Sequence, residues 1–287
     1  TTLLKVFELE LEQVVREFNL AKERAEKAAQ EKASARRQEK LQEILIPEEK
    51  FTYDLTKKLG EGSFGEVYLG TWSGNQIAVK MVKIAAAMSP NAKKDIEDEA
   101  ITMASLRSPN IVQIYGVGLK SYALLMEYMP RGSLYNLLHS DVEISEKTRY
   151  QIALDVTAGL RHLHDRNILH RDLKSLNVLL DSRLRAKLCD FGLAKLKTET
   201  RTTTATKSGT TAWMAPELLQ PPPKNKPASK SSDVYALGMI LFELVARKVP
   251  FATAGSEQLL ISWIMMGATE TVPDDAPPVF GKLITNC

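Results

Sequence analysis

His170-Arg171-Asp172-Leu173-Lys174-Ser175-Leu176-Asn177 gathers an imidazole, a guanidinium, a carboxylate, an ammonium and an amide into one short run. Taken singly, each of these side chains has a plain explanation as a surface group. Their order is far more specific than their composition. What stands on either side of them decides between chance and chemistry.

Upstream lies Gly60-Glu61-Gly62-Ser63-Phe64-Gly65-Glu66-Val67. A lone glycine pattern of this kind also fits dinucleotide-binding folds, where it follows a strand and opens a helix. Here it runs into Glu66-Val67-Tyr68-Leu69, which alternates like a strand. That favours a hairpin over phosphates, because glycine lets backbone N–H groups approach without an intervening side chain. Next comes Ile77-Ala78-Val79-Lys80, at the end of an expected strand. Its lysine is either a snorkelling surface residue or an inward charge with a fixed partner. The candidate partner is Glu99, on the helix expected next.

Together these signals make the chain resemble the eukaryotic-type protein kinases, whose signature set contains each of them. The resemblance continues in order through Asp190-Phe191-Gly192, Ala215-Pro216-Glu217, Asp233 and Gly238, and covers the chain from about Phe51 onward. It implies an α+β, bilobal fold with a β-rich N-lobe over about 51–129 and a helical C-lobe over about 130–287. It also implies ATP and Mg²⁺ as cofactors. Phosphoryl transfer needs positioning and charge stabilisation more than covalent chemistry. By resemblance, Asp172 accepts or orients the acceptor proton and Lys174 neutralises the transferred phosphate. Asn177 and Asp190 hold the metal, a hard cation that takes oxygen ligands. Lys80 fixes the nucleotide and Glu99 fixes Lys80. Leu59, Gly60, Glu61, Gly62, Ser63, Phe64 and Gly65 would cover the nucleotide, and Val67, Ala78 and Leu179 would sandwich its base. Met126 matches the gatekeeper, with Glu127-Tyr128-Met129 as the hinge. Met103, Ile114, His170 and Phe191 match the apolar column that links the lobes. Cys189, just before Asp190, is either a small buried residue or a reactive thiol.

Asp172-Leu173-Lys174 and Gly209-Thr210-Thr211 resemble serine/threonine kinases, with Thr210 placed to contact Asp172 and Lys174. Trp213-Met214-Ala215-Pro216-Glu217 resembles the tyrosine-kinase-like group, which includes Raf, mixed-lineage and receptor-interacting kinases. Thr198, Thr200, Thr202, Thr203, Thr204, Thr206 and Ser208 lie among Lys195, Lys197, Arg201 and Lys207. Most of these hydroxyls read as a solvated loop. One or two phosphorylated there would pair with Arg171 and order the segment. A binding module that keeps the fold without chemistry is the rival reading. Lys80, Asp172, Asn177 and Asp190 argue against it, since a scaffold needs none of them.

Ahead of the motifs, residues 1–45 contain neither glycine nor proline. Leu4, Phe7, Leu11, Val14, Phe18, Ala21, Ala25 and Ala28 recur at alternating spacings of three and four, the seam of a coiled coil. Lys32 and Glu39 then dissolve it. The Leu/Phe/Val half is the stronger, since a leucine-to-alanine exchange gives up about 2 kcal/mol of burial. A helical segment 1–46 is expected, roughly 65 Å long at ~1.5 Å per residue. It serves self-association, docking on its own kinase domain, or linkage. Pro47 ends it. Strands are expected at Phe51–Leu55, Glu66–Leu69, Gln76–Val82, Ile111–Gly116 and Tyr122–Glu127, with a helix at Asn91–Leu106. By resemblance, the C-lobe stops at Cys287 before its last helices, and Glu217 lacks the arginine that family members supply.

A net charge of +3 over 287 residues does not point to nucleic acid or to a membrane surface. Cys189 and Cys287 cannot build a disulfide framework, which suits a reducing, cytoplasmic compartment. No apolar run approaches the ~18–20 residues of a membrane span; the longest, Tyr235 to Ala246, is interrupted by Glu243. The partners implied are protein substrates.

Overall fold

A computed structural model describes residues 2–62, 65–82, 90–118, 120–191, 210–221 and 227–287. The chain divides into two units, Thr1–Leu45 and Ile46–Cys287.

The first unit is a single helix, α1 (Thr2–Ile44). Absence of glycine and proline leaves nothing to break its hydrogen-bond ladder. Lys22 and Glu26, one turn apart, approach to 4.0 Å. Phe18, a position of the expected seam, is exposed.

The second unit begins with a sheet and a helix. Its elements are β1 (Phe51–Gly62), β2 (Gly65–Trp72), β3 (Asn75–Val82), α2 (Pro90–Ser105), β4 (Ile114–Gly118) and β5 (Ala123–Glu127). The antiparallel sheet is ordered β1-β2-β3-β5-β4. Ser73 and Gly74 form the β2–β3 turn, both at positive φ (49° and 78°), the geometry that matches strand twist in a two-residue hairpin. Ile77, Val79, Ala123 and Leu125 pack with Ile46 and Phe51 into one core cluster. Because side chains alternate along a strand, Ala78 and Lys80 face the other way, toward the second lobe.

That lobe is mainly helical: α3 (Leu134–Leu138), α4 (Glu146–His164), α5 (Pro216–Leu219), α6 (Lys230–Ala246), α7 (Glu257–Met265) and α8 (Pro278–Asn286), with a hairpin of β6 (Val178–Leu180) and β7 (Ala186–Leu188). Ser145 caps α4 by accepting from Thr148 N at 3.2 Å. Ser229 and Ser232 form a reciprocal capping box at the start of α6. From Ala236 to Val245 every residue of α6 is buried, as expected of a helix that is apolar all round. The bilobal architecture is therefore the one expected. Among the described residues no helix is long and apolar enough to cross a membrane.

Of the boundaries that differ from expectation, two bear on how the lobes are built. First, β1 continues past Leu55 to Gly62, because Gly60, Glu61 and Gly62 pair with Val67, Glu66 and Gly65. Second, Ile111 and Val112 leave the first sheet and bond to β7: Val112 N donates to Leu188 O and Leu188 N to Asn110 O, both at 2.9 Å. The strand expected from Ile111 starts instead at Ile114.

Asp155 of α4 anchors β7 and is 3% exposed. Its carboxylate accepts from Arg185 Nε (2.8 Å) and Nη2 (2.7 Å), Ala186 N (3.0 Å) and Gln151 Nε2 (3.0 Å). Burial alone would raise its pKa, but the bonds from Arg185 and Ala186 outweigh burial and hold it below the ordinary 3.8. A lowered folded pKa gives stability that is complete above the unfolded value and lost as pH falls through the folded one. Asp155→Ala should therefore cost about 3 kcal/mol near neutrality, and the deficit should shrink in acid. Urea titrations at pH 7 and pH 3 measure both.

Candidate active site

Between the two lobes of the second unit opens a cleft of about 540 Å³. It brings together most of the side chains singled out in the sequence. Leu59, Gly60, Glu61, Val67, Ala78, Lys80, Met126, Glu127, Met129, Asp172, Lys174, Asn177, Leu179 and Asp190 all line it. Gly62 and Gly65 face each other at the paired ends of β1 and β2, and do not line it. Ser63 and Phe64 lie outside the described residues, as does the side chain of Glu99. Residues 192–209, with the seven hydroxyls among which one or two phosphorylation sites are expected, also lie outside them.

Lys80 stands on the cleft-facing side of β3, 1% exposed. A buried ammonium needs a counter-charge. Asp190 supplies it, accepting from Lys80 Nζ at 2.6 Å. Asp190 adopts positive φ (59°), a backbone conformation uncommon outside glycine. On α2, Glu97 is buried with Ala100 and Met103, three residues apart along one face.

The loop from His170 to Asn177 is held by α6. Asp233, 2% exposed, accepts from His170 N (2.8 Å), Arg171 N (2.9 Å) and His164 Nε2 (2.9 Å). Arg171 itself is at positive φ (66°), so the Asp233 clamp stabilises a strained turn. Within the loop, Lys174 Nζ lies 3.4 Å from Asp172 Oδ1 and donates to Thr210 Oγ1 at 2.9 Å. Thr210 thus stands beside Lys174 as expected. Asn177 Nδ2 donates to Asp172 O at 2.6 Å, which commits its amide nitrogen and leaves the amide oxygen for another partner.

His170 is fully buried, and among the described residues neither ring nitrogen has a hydrogen-bond partner. Burial lowers its pKa, so the imidazole is neutral and serves as packing. It meets Phe191 edge-on, centroids 6.2 Å apart. Met103 and Ile114, the other members of the expected column, are buried too. Cys189 is 8% exposed and its thiol donates to Asn177 O at 3.4 Å. Burial raises its pKa well above the ordinary value, which disfavours the nucleophilic thiolate and supports the packing reading.

Several residues of the site carried no sequence signal. Val112, Ser133, Asn136 and Leu176 also line the cleft. Behind the hinge, Glu127 takes Lys187 Nζ of β7 on both carboxylate oxygens, at 2.7 and 2.9 Å. Glu243 of α6 is 0% exposed. It accepts from Ser175 Oγ (2.8 Å) and Trp213 Nε1 (2.7 Å). Both donors are neutral, so burial dominates and lifts its pKa to about 8.

The cleft fits a magnesium nucleotide. Apolar side chains of Val67, Ala78, Met126 and Leu179 can enclose a base, and Asp190 and Asn177 offer hard oxygen ligands beside a buried ammonium. Among the described residues no group of three or more His, Cys, Asp or Glu forms a metal cage.

Comparison with known proteins agrees with this geometry. The family described as protein kinase domain matches residues 53–285. A probable serine/threonine-protein kinase of Dictyostelium discoideum is 36% identical over 237 residues, 81% of this chain and 25% of that protein. Another, from Arabidopsis thaliana, is 36% identical over 236 residues, 80% of this chain and 22% of that protein. The serine/threonine-protein kinase CTR1 of Arabidopsis thaliana is 35% identical over 241 residues, 82% of this chain and 29% of its own length. The chain thus spans less than a third of the length of these curated relatives.

Glu243 gives this site a pH signature. Its folded pKa of about 8 exceeds the ordinary 4.5. Between those values the folded state binds more proton than the unfolded, so this group makes stability fall as pH rises through that window. Glu243→Gln is neutral throughout. Its stability relative to the wild type should rise from pH 5 to pH 8.5, read as urea midpoints at both pH values; a constant offset would contradict the assignment.

Proposed function

The chain belongs to the protein kinase domain family, and from that premise we propose that it transfers the γ-phosphate of ATP to serine or threonine hydroxyls of proteins. The observation that carries this is a single cleft holding Lys80, Asp172, Lys174, Asn177 and Asp190. The named activity of the relatives supports the serine/threonine choice, as does Lys174 bonded to Thr210. The Trp213 to Glu217 wording supports placement in the tyrosine-kinase-like group.

In this reading the residues divide the work by charge. Asp172 accepts the proton of the acceptor hydroxyl. Lys174, 3.4 Å from it, offsets charge on the transferred phosphoryl oxygens. Lys80 holds the α- and β-phosphates, and Asp190 and Asn177 hold Mg²⁺, which when bound supplies charge neutralisation across the phosphate oxygens. The backbone of Glu127 to Met129 orients the base. Glu99 is proposed as the partner that aims Lys80. The cytoplasm is the proposed compartment, where both thiols stay reduced.

Control of the enzyme is proposed to combine two segments. Residues 1–45 pair two chains, which raises the local concentration of one activation segment near another active site. One or more hydroxyls between 198 and 208 then become phosphorylated and dock on Arg171.

Asp172→Asn should lower kcat toward a general protein acceptor by about 10²–10⁴-fold, with a much smaller change in the KM for ATP; equal turnover would sink the phosphotransferase reading. Incubation with Mg-ATP should add phosphate to residues 192–209 in the wild type and not in that variant, seen by intact mass and peptide mapping. Light scattering should find a dimer that reverts to a monomer without residues 1–45. A monomer in both cases would remove the pairing mechanism.

A further inference from the structure

Glu61 and Glu66 stand directly opposite each other where β1 pairs with β2, at the glycine-rich end of that hairpin. Like charges opposite each other on two strands push the strands apart. The ladder nonetheless stays paired as far as Gly62 and Gly65. The reason lies three residues before Glu61. Lys58 Nζ donates to Glu61 Oε2 at 2.9 Å and to Glu66 Oε1 at 2.6 Å, so one ammonium bridges both carboxylates. Tyr68, paired with Lys58 across the strands, donates its hydroxyl to Glu66 Oε2 at 2.8 Å. Both oxygens of Glu66 are thereby bonded. The bonds to Glu61 and Glu66 raise the pKa of Lys58, and the bond from Lys58 lowers that of Glu66, so all three stay charged.

The cluster borders the site of the chemistry. Gly60 and Glu61 line the cleft that also holds Lys80, Lys174 and Asp190, whereas Lys58 does not line it. A polyphosphate entering there brings negative charge toward an edge that already carries two carboxylates. The side chains of Lys58, Glu61 and Glu66 keep 39%, 50% and 39% of their surface, so water screens each pair and the pairs add little to folding stability. The net charge of the edge still acts on a nearby anion, over a Debye length of ~10 Å at about 0.1 M salt.

We propose that Lys58 is a positioning residue for the nucleotide: by bridging Glu61 and Glu66 it keeps the glycine-rich edge paired and cuts its negative charge, so that the edge lies over a polyphosphate instead of repelling it. The proposal rests on the reading of the cleft as a nucleotide site, and gives a role to a side chain outside the cleft's own lining.

The test uses the full 287-residue chain and reads binding, independently of turnover. Dissociation constants for Mg-ATP, Mg-ADP and adenosine are measured by titration calorimetry at about 20 mM and about 300 mM salt, where the Debye length is ~20 Å and ~6 Å. At the lower salt, Lys58→Met should weaken Mg-ATP roughly five- to tenfold, Mg-ADP by less, and adenosine hardly at all. At the higher salt the Mg-ATP penalty should fall to about twofold or less. Lys58→Arg keeps the charge and should bind like the wild type. Lys58→Met combined with Glu66→Gln restores the net charge of the edge and should recover most of the lost affinity. A purely structural role would weaken all three ligands alike at both salt concentrations, and that outcome would overturn the proposal. Wild-type affinity for Mg-ATP in Lys58→Met would overturn it as well. Failure of the wild type to bind any of the three ligands would remove the nucleotide reading itself, and this proposal with it.

Discussion

Two buried acids of one apolar helix hold the loop from His170 to Asn177, and the site depends on that constraint. Asp233 and Glu243 stand ten residues apart on α6, about 15 Å at ~1.5 Å per residue. Asp233 grips the backbone where the loop enters, at His170 and Arg171, and Glu243 grips Ser175 further along. Asp233 cannot leave its donors cheaply, because a buried carboxylate without hydrogen bonds is strongly disfavoured, and Glu243, a buried acid with its pKa lifted to about 8, would leave polar atoms unsatisfied without Ser175 and Trp213. The loop is therefore pinned at two points to a helix buried along most of its length. Between the pins, Asp172 and Lys174 are set 3.4 Å apart. Pre-organisation of this kind suits a reaction governed by placement of charge.

The N-lobe makes its contribution by alternation. Along β3, Ile77 and Val79 enter the core cluster, so Ala78 and Lys80 must face the cleft. Burial of Lys80 then demands an anion, and the chain brings Asp190 across from the other lobe. The ion pair is thus a link between lobes as well as a piece of chemistry. His170 and Phe191 form a neutral, apolar contact just beneath it.

Much of this was legible in the sequence because its signals are local. The glycine run, Lys80 on an alternating strand and the string from His170 to Asn177 each carry their meaning within a few residues. The bilobal fold follows from the resemblance that these motifs carry. The features that stayed hidden are those that pair residues far apart. Glu243 read as an interruption in an apolar run, and only the fold shows that Ser175 and Trp213 meet it. Lys187 and Glu127 are sixty residues apart and carry no motif. The shortened expectation for β1 had a different cause: glycines suggest a loop locally, yet here they continue a ladder because the partner strand is in register.

The segment Asn110–Val112 and the pair Glu127–Lys187 both fasten elements of the first lobe to β7. The Lys80–Asp190 ion pair is a third tie between the lobes, on the side of the reacting groups. Parting the lobes would strip a buried ammonium of that counter-charge, so the cleft is latched at its mouth as well as fastened at its back.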